Sequence, residues 1–224
     1  MLDVQRGGAI QALTRDVLIR RSLEMSPNGF ITIISIIQGV ALALLAQNAF
    51  PSPSPLVICQ SIALMMVFVA IFYYYLTLSI LIRWAPSFLD CFLPFAVAGL
   101  EIPPAFFLGN TVAWNFSVAA LWLFFALALW ITTKWSPPSH FAKVPMAHRR
   151  YLQGLQECRL CLILGGTATA ACGLFAALDP GHNLFWGLTG TTTVLGAIGA
   201  QIWRIEIRVS QIHALYGVNR PPFN

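Results

Sequence analysis

Six apolar runs, each long enough to cross a hydrocarbon core, follow one another along this chain, and the first, third and fifth connections between them carry no lysine or arginine. A helix of about 20 apolar residues spans the roughly 30 Å lipid core and satisfies its own backbone where water is absent. The runs lie at about 29–48, 56–83, 87–108, 113–133, 159–178 and 184–209. They predict an all-α fold: a polytopic membrane protein built as a six-transmembrane-helix bundle. Of the 13 basic residues, four precede the first run, one ends the second, five surround the fourth connection and three lie from the end of the sixth run onward. Six spans put all of them on one side, so the positive-inside rule places the N- and C-termini in the cytoplasm. The expected location is a bacterial inner (plasma) membrane.

With 58% hydrophobic and 9% charged residues, the chain has no segment left for a separate soluble domain. The organisation read from it is an amphipathic cytoplasmic leader at 1–27, a membrane domain at 28–209 and a cytoplasmic tail at 210–224. The leader is expected either to lie in the interface or to pack on the bundle's inner face. Ser26, Pro27 and Asn28 then mark the start of the first span. No cleaved signal is expected, because the first 27 residues are mixed and basic.

The third run, WAPSFLDCFLPFAVAGLEIPPAFFLGN from Trp84 to Asn110, is the most expensive to bury. On one helix Asp90 and Glu101 are eleven residues apart, so they share a face about 16 Å apart along the axis. Pro94 lies between them. Pro103 and Pro104 cannot donate to the carbonyls of Gly99 and Leu100, which leaves two acceptors beside the Glu101 carboxyl. An acid beside freed carbonyls within a membrane segment is a functional hypothesis by default.

The first run carries a stripe of small and polar residues: Thr32, Ser35, Gly39, Ala43 and Ala46, with Gln38 beside it. The structural reading packs this face on another helix, with Gln38 as interhelical glue; the functional reading makes it the lining of a path. Three adjacent tyrosines, Tyr73, Tyr74 and Tyr75, point in three directions, so at most two can line one cavity. They are read as packing or interfacial residues. The fourth run, with Trp114 at one end and Trp130 and Trp135 at the other, is expected to face lipid. In the fifth and sixth, Gly165, Gly166, Ala170 and Gly173 are expected to oppose Gly187, Gly190, Gly196 and Gly199. The run Thr191, Thr192 and Thr193 is expected to bond its own backbone. Gln201, Arg204 and Arg208 are expected to reach the inner interface, and 134–157 to form the longest and most basic loop.

Other chemistry finds little support. Cys158 and Cys161 form a lone CxxC without the second ligand pair a zinc site needs. The four histidines lie in loops or tails, which excludes facing haem ligands. No phosphate-cradling loop or Ser/His/Asp arrangement occurs, so neither an enzyme nor a cofactor or metal site is expected. The net charge of +5 is explained by topology, without nucleic acid.

Arg21, the segment Ile37-Gln38-Gly39-Val40-Ala41-Leu42-Ala43-Leu44-Leu45 and Leu93-Pro94-Phe95 loosely resemble the compact bacterial members of the lysosomal-type six-helix potassium channel family. The resemblance implies a homo-oligomer whose first helix lines a path for monovalent cations. The chain has Ile36-Ile37-Gln38 where the family carries Phe-Ser-Asp, so no filter residue is transferred. Two functions stand side by side. One is an ion channel or small-ion transporter using Glu101, Asp90, Gln38, Ser35, Thr32 and Gly39, with helix breaks at Pro94, Pro103 and Pro104. The other is a membrane anchor or assembly subunit acting through a partner on its basic face.

Overall fold

Prolines, glycines and short polar residues set where the helices begin and end. Pro55 and Pro145 each occupy a first helical turn, where a missing N–H costs nothing and the fixed φ is already helical. Ser54 Oγ accepts from Val57 N–H at 3.2 Å and Asn110 Oδ1 from Ala113 N–H at 3.1 Å, capping two helices. Gly109, at φ +80°, makes the left-handed turn that leads into the second of these helices, a conformation that a side chain would strain.

The computed structural model describes residues 15–51, 53–81, 88–135 and 144–219, with backbone alone for 15–28, 30, 78–80, 88–91, 94, 98 and 135. The described residues form six long helices and no strand. These are α1 Arg15–Ala49, α2 Pro55–Leu81, α3 Phe88–Phe106, α4 Thr111–Trp135, α5 Pro145–Leu178 and α6 Asn183–Leu215, with a 3₁₀ turn at Pro180–His182 before α6. Four of them are long and apolar enough to cross a membrane, over Ile31–Ala49, Pro55–Thr77, Thr111–Lys134 and Pro145–Leu178. α3 offers a shorter apolar stretch, Phe95–Phe106. In α6, glycines and threonines dilute the apolar content, but the threonine hydroxyls are satisfied inside the helix. Thr191 and Thr192 each bond the carbonyl four residues back at 2.8 Å, and Thr193 does so at 2.9 Å.

Contact register gives the helix directions. Asn115 and Trp122 of α4 meet Gly173 and Gly165 of α5, indices running in opposite senses, so the two are antiparallel. Leu56 and Tyr74 of α2 meet Gly187 and Gln201 of α6, indices rising together, so these are parallel. Helices α2, α4 and α6 thus descend from one end, where the short turns lie. The opposite end carries the described arginines of α5 and α6.

Several boundaries differ from those the sequence predicts. Helix α1 continues through Ser26, Pro27 and Asn28, even though Pro27 cannot donate a helical hydrogen bond. Much of the basic loop expected at 134–157 is the first part of α5: Ala147, Tyr151, Leu155 and Cys158 are buried at helical spacing beneath its charge. At 34 residues α5 is about 51 Å long, more than a lipid core needs. Helix α6 likewise runs past 209, with Ile212 still buried.

The largest correction concerns α4. Far from facing lipid all round, it buries Trp114, Val118, Leu121 and Trp122 at the centre of the core, and of its described large apolar side chains only Phe116, Leu123, Leu127 and Trp130 are exposed. The α5 glycines oppose α4 more than α6. A Cβ at Gly165 would lie 2.0 Å from the Trp122 ring, and one at Gly173 would lie 3.2 Å from Asn115. On α6, Gly187 admits Leu56 and Thr111, and Gly190 admits Asn115, while Gly196 and Gly199 have no neighbour within 4 Å.

Candidate functional site

Glu101 stands on the last part of α3, with 0% of its surface exposed and no hydrogen-bond partner at either carboxylate oxygen among the described residues. Pro103 and Pro104 lie in the final turn, and α3 still closes over them, with Phe107 N–H donating to the Pro103 carbonyl at 2.9 Å. Two polar side chains face the carboxyl. Gln38 of α1, 8% exposed, lies beside it and donates Nε2 to the Phe68 carbonyl of α2 at 2.8 Å. Tyr75, two turns further along α2 and 7% exposed, lies within electrostatic reach of it.

The site lies inside the helices and not at their ends, and Tyr75, about 30 Å from the start of α2, is further from the turn end than the other two. Gln38 is about 16 Å from the C-terminus of α1, and Phe68 about 20 Å from the start of α2. Glu101 is about 8 Å from the end of α3, with its side chain leaning back toward the N-terminus and hence deeper. Among the described residues no ion pair includes Glu101, and no group of three or more His, Cys, Asp or Glu is placed to hold a metal ion. A carboxylate taken from water without a counter-charge is destabilised by several kcal/mol, on the order of the desolvation cost of one ion.

The structure divides the residues singled out from the sequence. It brings Gln38 and Glu101 together. Thr32, Ser35 and Gly39 face outward from the bundle; Ser35 Oγ bonds the Ile31 carbonyl at 2.7 Å, and Gly39 has no neighbour within 4 Å. Pro103 is half-buried and Pro104 buried. Asp90 and Pro94 belong to α3, but their side chains lie outside the described residues.

A second polar group lies nearer the basic end and was missed in the sequence. Tyr73 donates to Oε1 of Glu206, which is 7% exposed, and Gln201 Nε2 donates to the Tyr74 hydroxyl, beside Cys158 of α5. The three consecutive tyrosines therefore reach three places: Tyr75 toward Glu101, Tyr74 toward Gln201 and Tyr73 toward Glu206. Arg208 pairs with Glu157 across α5 and α6 and does not simply extend to an interface. Tyr74, Tyr75, Trp122 and Gln201 help line a cavity of about 60 Å³ between α2, α4 and α6. Tyr74 also borders a second cavity, of about 40 Å³, with Cys158 and Arg208 on its wall.

Buried amides form a third feature, near the turns. Gln60 Oε1 accepts from Gly109 N–H at 2.8 Å, while among the described residues its Nε2 has no partner and both polar atoms of the buried Asn115 are unpaired. Single amides in apolar runs give no periodic signal, which is why the sequence did not expose them. Glu206 was hidden differently, among arginines that read as an interfacial cluster. No protein-family model, curated protein or solved structure matches the chain.

Proposed function

We propose that the chain is an integral membrane protein that moves a small monovalent cation, with Glu101 as its exchange site. In this reading all six helices span a bacterial inner membrane, and the basic end, with both termini, is cytoplasmic. The observation that carries it is the Glu101 carboxyl, wholly buried with two unpartnered oxygens. Packing does not call for such a group: a leucine or methionine would fill the space without desolvating an acid. Gln38 and Tyr75, from two other helices, give the site adjustable polar neighbours that suit a group changing its charge.

Assembly of several copies through α1 is part of the same proposal. Thr32, Ser35, Gly39 and Ala43 point away from their own bundle, along a face small enough for close approach of another helix. The test is ion flux in proteoliposomes holding the purified chain. Glu101→Gln is expected to abolish flux, and Gln38→Ala to alter it, in protein that still purifies as the parent assembly. If the parent carries no flux and both substitutions only weaken the assembly in detergent, the anchoring or assembly reading takes its place.

A further inference from the structure

Resting on that reading, we infer that the cation exchanged at Glu101 is the proton, and that its route to the basic end runs past Tyr75 and through the two cavities separated by Tyr74. The argument begins with ligand number. Metal cations such as Na⁺ and K⁺ leave water only where several oxygens replace the hydration shell. Around Glu101 the facing side chains are one amide and one phenol, no cluster of further acidic or histidine ligands stands beside it among the described residues, and the helical carbonyls of Gly99 and Leu100 point toward the C-terminal end of α3 while the Glu101 side chain leans toward its N-terminal end. A proton needs one oxygen at a time.

The cavities give the same answer. The one of about 60 Å³ beside Tyr75 is walled chiefly by Val67, Ile71, Trp122 and Leu129, side chains that offer a dehydrated metal ion nothing. Its size admits on the order of two to four waters. Its hydroxyl and amide edge, Tyr74, Tyr75 and Gln201, gives such waters partners. Tyr74 is shared with the second cavity, which continues along Cys158 to Arg208 at the basic end. In one cycle the Glu101 O–H bond breaks, its proton passes to a water beside Tyr75, and the carboxylate then takes a proton from the turn end, about 8 Å away along α3. One proton crosses and no other covalent bond changes. Tyr75, Tyr74 and Gln201 act as positioning residues for the waters.

The test uses the full chain in proteoliposomes, with internal pH followed by a trapped dye and Na⁺ and K⁺ followed by tracer under an imposed potential. Proton uptake that falls to the protein-free baseline in Glu101→Gln, and severalfold in Tyr75→Phe with thermal stability kept, is the expected result. Glu101-dependent Na⁺ or K⁺ flux without proton uptake overturns the inference and leaves the proposed function standing. No Glu101-dependent flux of any of these ions overturns both. Should Glu101→Gln fail to fold, dicyclohexylcarbodiimide labelling of the parent decides, since this reagent attacks the protonated carboxyl. Modification of Glu101 that Na⁺ and K⁺ leave unchanged supports the proton, and protection by either ion, or no modification, overturns it.

Discussion

The side of the molecule built by α4, α5 and α6 and the side built by α1 and α3 solve helix packing in opposite ways. Between α4 and α5 the backbones approach so closely that the Trp122 ring occupies the space where Gly165 would carry a Cβ. On the other side no described glycine is filled by a neighbour's ring in this way, a Cβ at Gly39 or Gly99 meets nothing within 4 Å among the described residues, and α1 leaves Ile36 and Val40 exposed. The buried carboxyl sits on the open side. A group that gains and loses charge needs surroundings that can rearrange around it, and a close-packed interface resists such movement. On the proposed function, the tight side would be the frame against which the looser helices adjust.

That contrast is most exposed to failure at Gly165. Its Cβ would stand 2.0 and 2.6 Å from two carbons of the Trp122 ring and 3.0 Å from Ala197 Cβ. The buried indole must shift toward the cavity it borders, so Gly165→Ala is expected to destabilise the chain by about 2 kcal/mol. Thermal unfolding in detergent, with Gly99→Ala as the paired control, measures this. Equal melting of the two variants would break the division into a tight and a loose side.

The next effect is smaller and falls on the open side. Gln38→Leu removes the bond to the Phe68 carbonyl and is expected to cost about 1 kcal/mol, the scale of one interhelical hydrogen bond in lipid. The Phe68 carbonyl keeps its helical partner, so the variant should fold. Flux should change more than stability does. The reverse pattern would sharpen the comparison differently, assigning Gln38 to the frame.

How much of this was legible beforehand follows from what lipid does to a sequence. The helix count and most turns could be read, because Pro55, Asn110 and Gly109 mark ends by backbone chemistry that no solvent alters. Which way α4 faces could not. In water a helix shows its core by an apolar stripe, but Leu121 in the core and Leu123 on the surface are equally apolar, so periodicity carries no message. Charge worked in the opposite direction. Glu101 stood out because acids are rare in apolar runs, whereas the charges of His148, Arg149 and Arg150 concealed the buried spacing of Ala147, Tyr151 and Leu155. The pairing of Gln38 with Glu101 required knowing that α1 and α3 lie side by side, which neither run states alone.

A weaker test lies at the basic end. Arg208 and Glu157, with side chains 17% and 30% exposed, join α5 to α6 where solvent screens them. Glu157→Gln is expected to lower stability by no more than about 1 kcal/mol, and raised salt should shrink the difference from the parent. Melting curves at two ionic strengths check it. A larger loss that salt leaves untouched would extend the close-packed frame as far as this pair.

The smallest expected change separates an open face that borders only lipid from one that borders another copy. Gly196 of α6 has no neighbour within 4 Å, so Gly196→Ala meets no obstacle and gains about 0.5 kcal/mol from helix propensity. Gly39 of α1 is equally open within the chain, and Gly39→Ala should gain the same in the isolated subunit. Close approach of a second copy at α1 makes the outcomes diverge, since the added methyl then keeps two helices apart and the assembly loosens while the subunit itself melts no lower. Melting together with mass measured by light scattering separates the two. If both variants melt higher and leave the assembly's mass unchanged, the outward stripe of α1 meets no second copy, and the proposed ion path would have to lie within a single subunit.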